Sequence, residues 1–257
     1  MLKLASWNVN SLKVRLEQVL NWLDETNTDI LALQETKLTD ENFPAQIFRE
    51  KGFHISFIGQ KTYNGVAIIS RYPMTDIEMI IPDFEDPQRR FLAATIGELR
   101  LINLYVPNGS SVDSDKYPYK LQFLEKIKAY IESQMQMHSK LAVVGDFNIA
   151  PEDIDVHDPV LWQGNVLVSP PERQAFQELL ALGLIDSFRH KAKDEIAYSW
   201  WDYRQAAFRR NLGLRIDHIL LSQHLNDFCK QSQIDKAPRK LERASDHAPV
   251  WVELDIL

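Results

Sequence analysis

Residues 245–254 read SDHAPVWVEL. An acid, Asp246, and an imidazole, His247, stand side by side at the mouth of the apolar run Val250–Leu254. Three readings fit this stretch. Asp and Ser favour turns, so the pair can be turn chemistry ahead of a last strand. It can be a fragment of a Ser-His-Asp triad, or a metal ligand beside a general base. Two residues alone favour the turn, because short motifs match by chance. What stands at the ends of the other apolar runs has to decide.

Those runs alternate with amphipathic segments. Residues 2–7 (LKLASW), 29–33 (DILAL), 54–58 (HISFI), 65–70 (GVAIIS), 91–96 (FLAATI), 99–106 (LRLINLYV), 140–146 (KLAVVGD), 215–222 (RIDHILLS) and 247–254 (HAPVWVEL) read as strands. The succession of strands between 54 and 106 suggests antiparallel pairing. Helical spacing appears at 14–25, with Val14, Leu16, Val19, Leu20 and Leu23 on one side, and again at 119–135. Residues 43–52 suggest a short helix with Pro44 in its first turn, and 171–183 a helix from Pro171 to Gly183. The segment 223–230 reads as helical and carries Cys229. This mixed order predicts one α/β or α+β domain over residues 1–257, with sheet built from both halves.

Composition narrows the class. The chain has 257 residues, 45% hydrophobic and 25% charged, enough to bury a core without staples. One cysteine excludes an intramolecular disulfide and a multi-cysteine zinc site, and it fits a reducing compartment. The N-terminus lacks the long apolar core of a signal peptide, and no run approaches the roughly 20 residues of a membrane span. The expectation is a soluble, cytoplasmic monomer with no membrane partner. A net charge of -7 argues mildly against nucleic acid, but distribution matters more than the total. Arg204, Arg209, Arg210 and Arg215 cluster, and Lys236, Arg239, Lys240 and Arg243 follow. They read as solvated faces or as a rim for a nucleic-acid backbone.

Polar residues recur where apolar runs end: Asn8 and Asn10, Glu35, Asp146 and Asn148, then Asp246 and His247, while Asp217 interrupts its run. Turn chemistry accounts for any one of these and poorly for all, because Glu is not a turn former. In sheet proteins ligands gather beyond strand ends. Other chemistries drop out. There is no G-x-S-x-G elbow, no P-loop, no G-x-G-x-x-G and no H-E-x-x-H, and Asp153–Gly164 fails the calcium-loop pattern at its sixth and twelfth positions. What remains is an oxygen-rich set with one imidazole. Such hard ligands suit Mg2+ or Mn2+ and fit phosphate-ester hydrolysis. A carboxylate bound to one nitrogen of His247 would fix its tautomer and favour the imidazolium.

SWNVNSL (6–12), LALQETK (31–37), NGVAIISR (64–71), INLYVPNG (102–109), VVGDFNIAP (143–151), YSWWDYR (198–204), GLRIDHILLS (213–222) and SDHAPV (245–250) occur in this order over nearly the whole chain. On these motifs the chain resembles the exonuclease III family of apurinic/apyrimidinic endonucleases, within the endonuclease/exonuclease/phosphatase superfamily. The resemblance implies a four-layer αββα sandwich, two mixed β-sheets flanked by helices, with the site at one edge between the sheets. It implies that Glu35 is the main metal ligand, with Asn8 and Asp246 completing that site directly or through water. Asp146 and Asn148 would hold the attacking water or leaving group and a phosphate oxygen, Tyr105 would donate to the phosphate, and Asp217 would orient His247. Whether His247 or Asp146 is the base stays open.

The activity so implied is a Mg2+-dependent DNA repair nuclease, with Mn2+ as a possible substitute, that leaves 3′ hydroxyls. Its partner would be double-stranded DNA with abasic sites or recessed 3′ ends. Alternatives are a superfamily phosphatase acting on inositol phosphates or sphingomyelin, and a non-catalytic nucleic-acid-binding module. Arg90, Arg215 and Lys116 are candidate phosphate contacts, with solvation the plainer reading for Lys116. Trp200 is a candidate DNA contact or a core residue. Relatives often carry NING or NVDG where this chain has NVNS, so Asn10, a further candidate DNA contact, keeps an oxygen ligand but loses a charge. Leu167 and Val168 put apolar bulk in a loop that could wall off the pocket for an extruded abasic sugar, which favours 3′-end processing over abasic incision.

Overall fold

Nearly every residue of the apolar runs is shielded on both faces, and that makes them strands of covered sheets. The computed structural model describes residues 1–256. Its strands are β1 (Leu2–Asn8), β2 (Ile30–Gln34), β3 (His54–Ile58), β4 (Val66–Ser70), β5 (Thr75–Glu78), β6 (Phe91–Ile96), β7 (Leu99–Tyr105), β8 (Leu141–Asp146), β9 (Leu184–Asp186), β10 (Asp217–Ser222), β11 (Cys229–Ile234) and β12 (Val250–Leu254). The helices are α1 (Leu12–Thr26), α2 (Ala45–Glu50), α3 (Lys116–Met137), α4 (Pro159–Trp162), α5 (Pro170–Ala181), α6 (Ser187–Lys191), α7 (Ala207–Arg210) and α8 (Gln223–Asn226).

The strands form two six-stranded sheets, ordered β11-β12-β1-β2-β4-β3 and β5-β6-β7-β8-β10-β9. Each holds one parallel pair, β1 with β2 and β7 with β8, among antiparallel neighbours. Alternation along each strand divides the cores. Leu4, Ile30, Leu101, Val144 and Leu221 meet between the sheets. Their neighbours Ala5, Trp7 and Leu31 face outward under α1 and α2, with Leu12, Val19, Leu23 and Phe48. Ile102, Val143 and Leu220 face outward under α3 and α5, with Phe123, Ile127, Phe176 and Leu179. The layers are therefore helix, sheet, sheet, helix, the four-layer αββα sandwich expected.

Local differences from the sequence reading have simple causes. Pro44 lies just ahead of α2 rather than inside it. Cys229 is not helical: α8 stops at Asn226, and Cys229 is buried opposite Leu254 at the start of β11. Strand β5 went unread because it is an exposed edge without an apolar pattern.

The topology creates one polar edge. The parallel strands end there, with Asn8 closing β1, Glu35 following β2, Tyr105 closing β7 and Asp146 closing β8. The antiparallel strands begin there, with Asp217 opposite Asp146 and His247 just before β12. Below it, Gln34 donates to Asn103 Oδ1 at 2.8 Å, and the Asn103 amide donates to the carbonyls of Leu33 and Ala67 at 3.0 and 2.9 Å. These buried bonds cross between the sheets and fix their relative register.

Gly145 places Asp146 on this edge. Its φ is 146°, and a Cβ there would lie 1.9 Å from the carbonyl oxygen of Leu104, on the paired strand β7. Gly145→Ala is expected to cost on the order of 4 kcal/mol, since backbone must move. Denaturant unfolding checks this; a loss below about 1 kcal/mol would show that β7 and β8 need not approach so closely.

Candidate active site

The backbone around the edge adopts conformations that L-residues resist. Asn10, Ser11, Glu35, Lys37 and Asn148 all have positive φ, at 41°, 90°, 51°, 54° and 50°. Left-handed backbone costs roughly 1–2 kcal/mol per ordinary residue, so surrounding bonds must hold it. They do: Ser11 N–H donates to Glu35 O at 2.7 Å, Leu12 N–H to Thr36 O at 3.0 Å, and Lys37 N–H to Asn64 O at 2.9 Å.

Asp217 receives His247 Nδ1 at 2.9 Å on one carboxylate oxygen and 3.1 Å on the other. The far imidazole nitrogen, Nε2, faces Asp146 Oδ2 at 3.8 Å. Ser199 Oγ donates to Asp217 Oδ2 at 2.6 Å. That serine sits behind the carboxylate, not against Nε2, so the arrangement is no nucleophilic triad. Burial alone would lower the His247 pKa, but Asp217 and Asp146 outweigh it and push it up to about 10. Burial pushes Asp146 up to about 7, against the pull of His247 and with a contribution from Asp217. Asp146 is further held by Asn8 Nδ2 at 2.9 Å, Asn148 Nδ2 at 3.2 Å and Asn148 N–H at 2.9 Å.

Glu35, Asp146 and His247 bring one ligand atom each within 4.8 Å of one another, a group able to hold a metal ion. Two carboxylates offering hard oxygens beside a space for phosphate fit a small divalent cation, which keeps waters and takes few protein ligands. The expected companions of Glu35 sit differently. Asn8 turns its nitrogen, not its oxygen, to the site: Nδ2 bridges Glu35 Oε1 and Asp146 Oδ2, both at 2.9 Å, and Oδ1 accepts from Asn10 N–H at 2.9 Å. Two carboxylate acceptors require a donor there. Asp246 accepts from Asn10 Nδ2 at 2.9 Å and Trp200 Nε1 at 3.0 Å. Lys37 lies between these groups, 2.8 Å from Glu35 Oε2 and donating to Asn10 Oδ1. Burial works to raise the Glu35 pKa, but Lys37 and the Asn8 bond bring it below the usual value.

The candidate DNA contacts divide. Arg90 stacks on Tyr105 at 4.6 Å, and both line a cavity of about 620 Å³ with Glu35, Asn64, Asn108 and Lys116. Burial, then the charges of Glu35 and Asp146, hold the Tyr105 phenol well above its ordinary value, so it stays a neutral donor. Trp200 is half-buried, packs on Val156, Leu167 and Leu214, and lines a second cavity of about 640 Å³. Both ends of the Asn10 amide are engaged by Asp246 and Lys37.

Three expectations need correction. Leu167 and Val168 are 4% and 5% exposed and pack inward with Val156 and Leu214; Trp162 and Val166 line the cavity beside Trp200 instead. Arg239 is no rim residue: it is buried, donates to Ser245 O and stacks on Phe208 at 4.8 Å. Arg215 is 1% exposed and cannot meet a phosphate. Its Nε donates to Asp155 Oδ1 at 2.7 Å, and Nη1 is 2.8 Å from Asp186 Oδ2 and 3.0 Å from His218 Nδ1. Burial and Arg215 hold the His218 pKa down at about 4, so His218 is a neutral acceptor for the guanidinium.

Reasoning from sequence missed Lys37, Ser199 and Asn108. Lys37 and Ser199 lay inside quoted motifs, LQETK and YSWWDYR, one position or two from residues that were chosen. Asn108 likewise lay inside INLYVPNG, three positions after Tyr105; it donates through Nδ2 to Asn148 Oδ1 at 3.0 Å.

Comparison with known proteins places this geometry. The model of the endonuclease/exonuclease/phosphatase family matches residues 5–247. The chain is 37% identical to exodeoxyribonuclease III of Haemophilus influenzae, over 98% of this chain and 99% of that one. It is 33% identical to an exodeoxyribonuclease of Bacillus subtilis, over 99% and 100%. A 3′-5′ exonuclease from Neisseria meningitidis has the same fold at a TM-score of 0.98 and 48% identity, covering 99% of this chain and all of that one (100%). A Neisseria structure described as a 3′ phosphatase bound to a product DNA hairpin gives the same values. An AP endonuclease from Archaeoglobus fulgidus follows at 0.96 and 39%, covering 100% of each chain.

Removing Arg215 would strand Asp155 and Asp186 in the interior. Arg215→Ala is expected to lower stability by about 3–5 kcal/mol and leave the salt dependence of DNA binding unchanged. A stable variant whose salt slope fell by about one would restore Arg215 as a phosphate contact.

Proposed function

The chain belongs to the endonuclease/exonuclease/phosphatase family and is a DNA repair nuclease that hydrolyses phosphodiesters, and from that premise we propose that it acts mainly at 3′ ends of DNA. It would remove terminal nucleotides or a blocking phosphate from recessed 3′ ends and leave a 3′ hydroxyl. Two structures of one Neisseria relative at 48% identity support this, one described as a 3′-5′ exonuclease and one as a 3′ phosphatase. Full-length likeness to exodeoxyribonucleases leaves the head-group phosphatase and the non-catalytic module without support.

The observation that carries the chemistry is the line Asp217, His247, Asp146 with Glu35 at its open end. Asp217 fixes the Nδ1 proton of His247 and favours the imidazolium, which directs Nε2–H toward Asp146 and the reacting phosphate. Asp146, held by Asn8 and Asn148, takes the proton of the attacking water. Tyr105 and the amide of Asn108 donate to phosphate oxygens as charge develops, while the Asn148 amide stays on Asp146. A bound divalent cation, Mg2+ or Mn2+, would be held through Glu35 beside Asp146 or Asp246 and would neutralise charge on the phosphate. Arg90 and Lys116 would meet the backbone along the cavity they line.

Incision 5′ to an abasic site is a second reading. The cavity lined by Trp200 and Trp162 has room for an extruded sugar, and the Archaeoglobus relative is an AP endonuclease.

Rates on a recessed 3′ end, a 3′-phosphate and a central abasic analogue, at one salt and Mg2+ concentration, separate these readings. The 3′ substrates are expected to be processed faster; strong abasic incision with no loss from 3′ ends would reverse the preference. Excess chelator or Glu35→Ala should remove most activity on all three. His247→Ala should lower kcat about 10²–10⁴-fold with little change in DNA binding, and Asp217→Asn less. Normal turnover with earlier melting of His247→Ala would make the residue structural.

A further inference from the structure

Lys120 lies within α3, outside the motifs, yet it is fully buried. Its side chain and that of Glu172 are both 0% exposed, and the two form an ion pair. A lysine ammonium has three donors, and all three are used. One goes to Glu172, one to the carbonyl of Asn148 at 2.6 Å and one to the carbonyl of Asn108 at 3.2 Å. Asn148 and Asn108 are the residues whose amides meet each other at 3.0 Å on the floor of the site. One cation therefore holds the backbone of both.

Glu172 has a plainer role that accounts for half of it. It completes a capping box at the start of α5, accepting from Ser169 N–H at 3.1 Å and from the Ser169 hydroxyl. A cap needs no buried lysine, and the second oxygen, Oε1, faces Lys120 and Leu167 N–H. Stability does not demand the pair either. Burying two charges costs several kcal/mol per ion, and apolar replacements of such pairs are often neutral or better. What the pair supplies that apolar residues cannot is a donor aimed at two carbonyls. Asn148 needs that anchor, because its φ of 50° sets the direction in which its amide leaves the chain. That amide donates to Asp146 Oδ2 and to Val106 O.

We propose that Lys120, seated by Glu172, is a positioning residue for phosphoester hydrolysis: it clamps the Asn148 and Asn108 carbonyls so that their amides stand where Asp146 and the phosphate need them. This rests on the role given to Asn148 above.

The test measures kcat and KM on a recessed 3′ end, with melting temperature, for two Lys120 variants and for Asn148→Ala in the full chain. Lys120→Arg keeps the charge and the partner but cannot place single donors at both carbonyls with its planar fork. Lys120→Met/Glu172→Gln removes both charges. Each is then combined with Asn148→Ala. The expected result is a loss of about 10- to 100-fold in kcat with KM within about twofold, as for a group moved by a fraction of an ångström. Asn148→Ala should then cost less on either background than in the wild type, since its amide is already misplaced. A folded Lys120→Arg variant with full kcat would overturn the proposal, and so would losses that multiply independently with Asn148→Ala. If the charge-free variant does not fold, Lys120→Arg decides alone. A wild type with no phosphodiesterase activity would instead bring down the functional reading on which the proposal rests.

Discussion

The hydrogen bond from His247 Nδ1 to Asp217 joins the two sheets at their polar edge. Asp217 starts β10 of one sheet, and His247 leads into β12 of the other. A contact across separately built sheets forms only when both have their registers. Asp217 lies opposite Asp146 in one, and Val250 lies opposite Ser6 in the other. Secondary bonds tie the same point down. Ser199 Oγ receives the N–H groups of Ile216 and Asp217 and donates to the Asp217 carboxylate. Trp7 Nε1 donates to His247 O at 3.2 Å, and Ser245 Oγ to Asn8 O at 2.7 Å. The site is thus a consequence of sandwich closure, and any disturbance of that closure should reach the chemistry.

Electrostatics inside the chain explain how an acidic protein can act on DNA. Several of its cations are spent internally. Lys120 and Arg215 are in buried pairs, Arg100 holds Glu78, Gln134 and Tyr130, and Lys37 lies against Glu35. Among the positive groups left to face a phosphate backbone are Arg90 and Lys116 along one cavity and the exposed Arg209 and Arg210 on α7.

Glu35, Asp146, Asp217 and His247 could be singled out in the sequence because each interrupts or borders an apolar run, and a strand covered on both faces leaves no room for a charge. The layer order was implied by the family resemblance; the apolar runs and the helical spacing at 14–25 and 119–135 by themselves pointed only to an α/β or α+β domain. Side-chain direction was not legible. Arg215 and Arg209 look alike in a row of arginines, and only the placement of Asp155 and Asp186 decides which is buried. Asn8 was read as an oxygen ligand, but two carboxylates on either side oblige it to present nitrogen. Leu167 and Val168 were read as a loop surface, while the chain turns them into the cluster beneath Trp200. Nothing in the helical spacing of 119–135 singles out Lys120, because its partners come from three other segments.

The central claim is that His247 works as an imidazolium held between Asp217 and Asp146. Its folded pKa lies above the unfolded value of about 6.5, so the charged pair contributes stability that is fully present below that pH and is lost as pH rises toward about 10. Nitrogen-15 NMR of the histidine rings across this range reads the protonation of His247 directly, with His247→Gln assigning the signal. Both ring nitrogens are expected to stay protonated at neutral pH and to titrate only near pH 10 in the metal-free protein. A His247 ring that loses its proton near pH 6.5 would contradict the account and return the role of base to the imidazole.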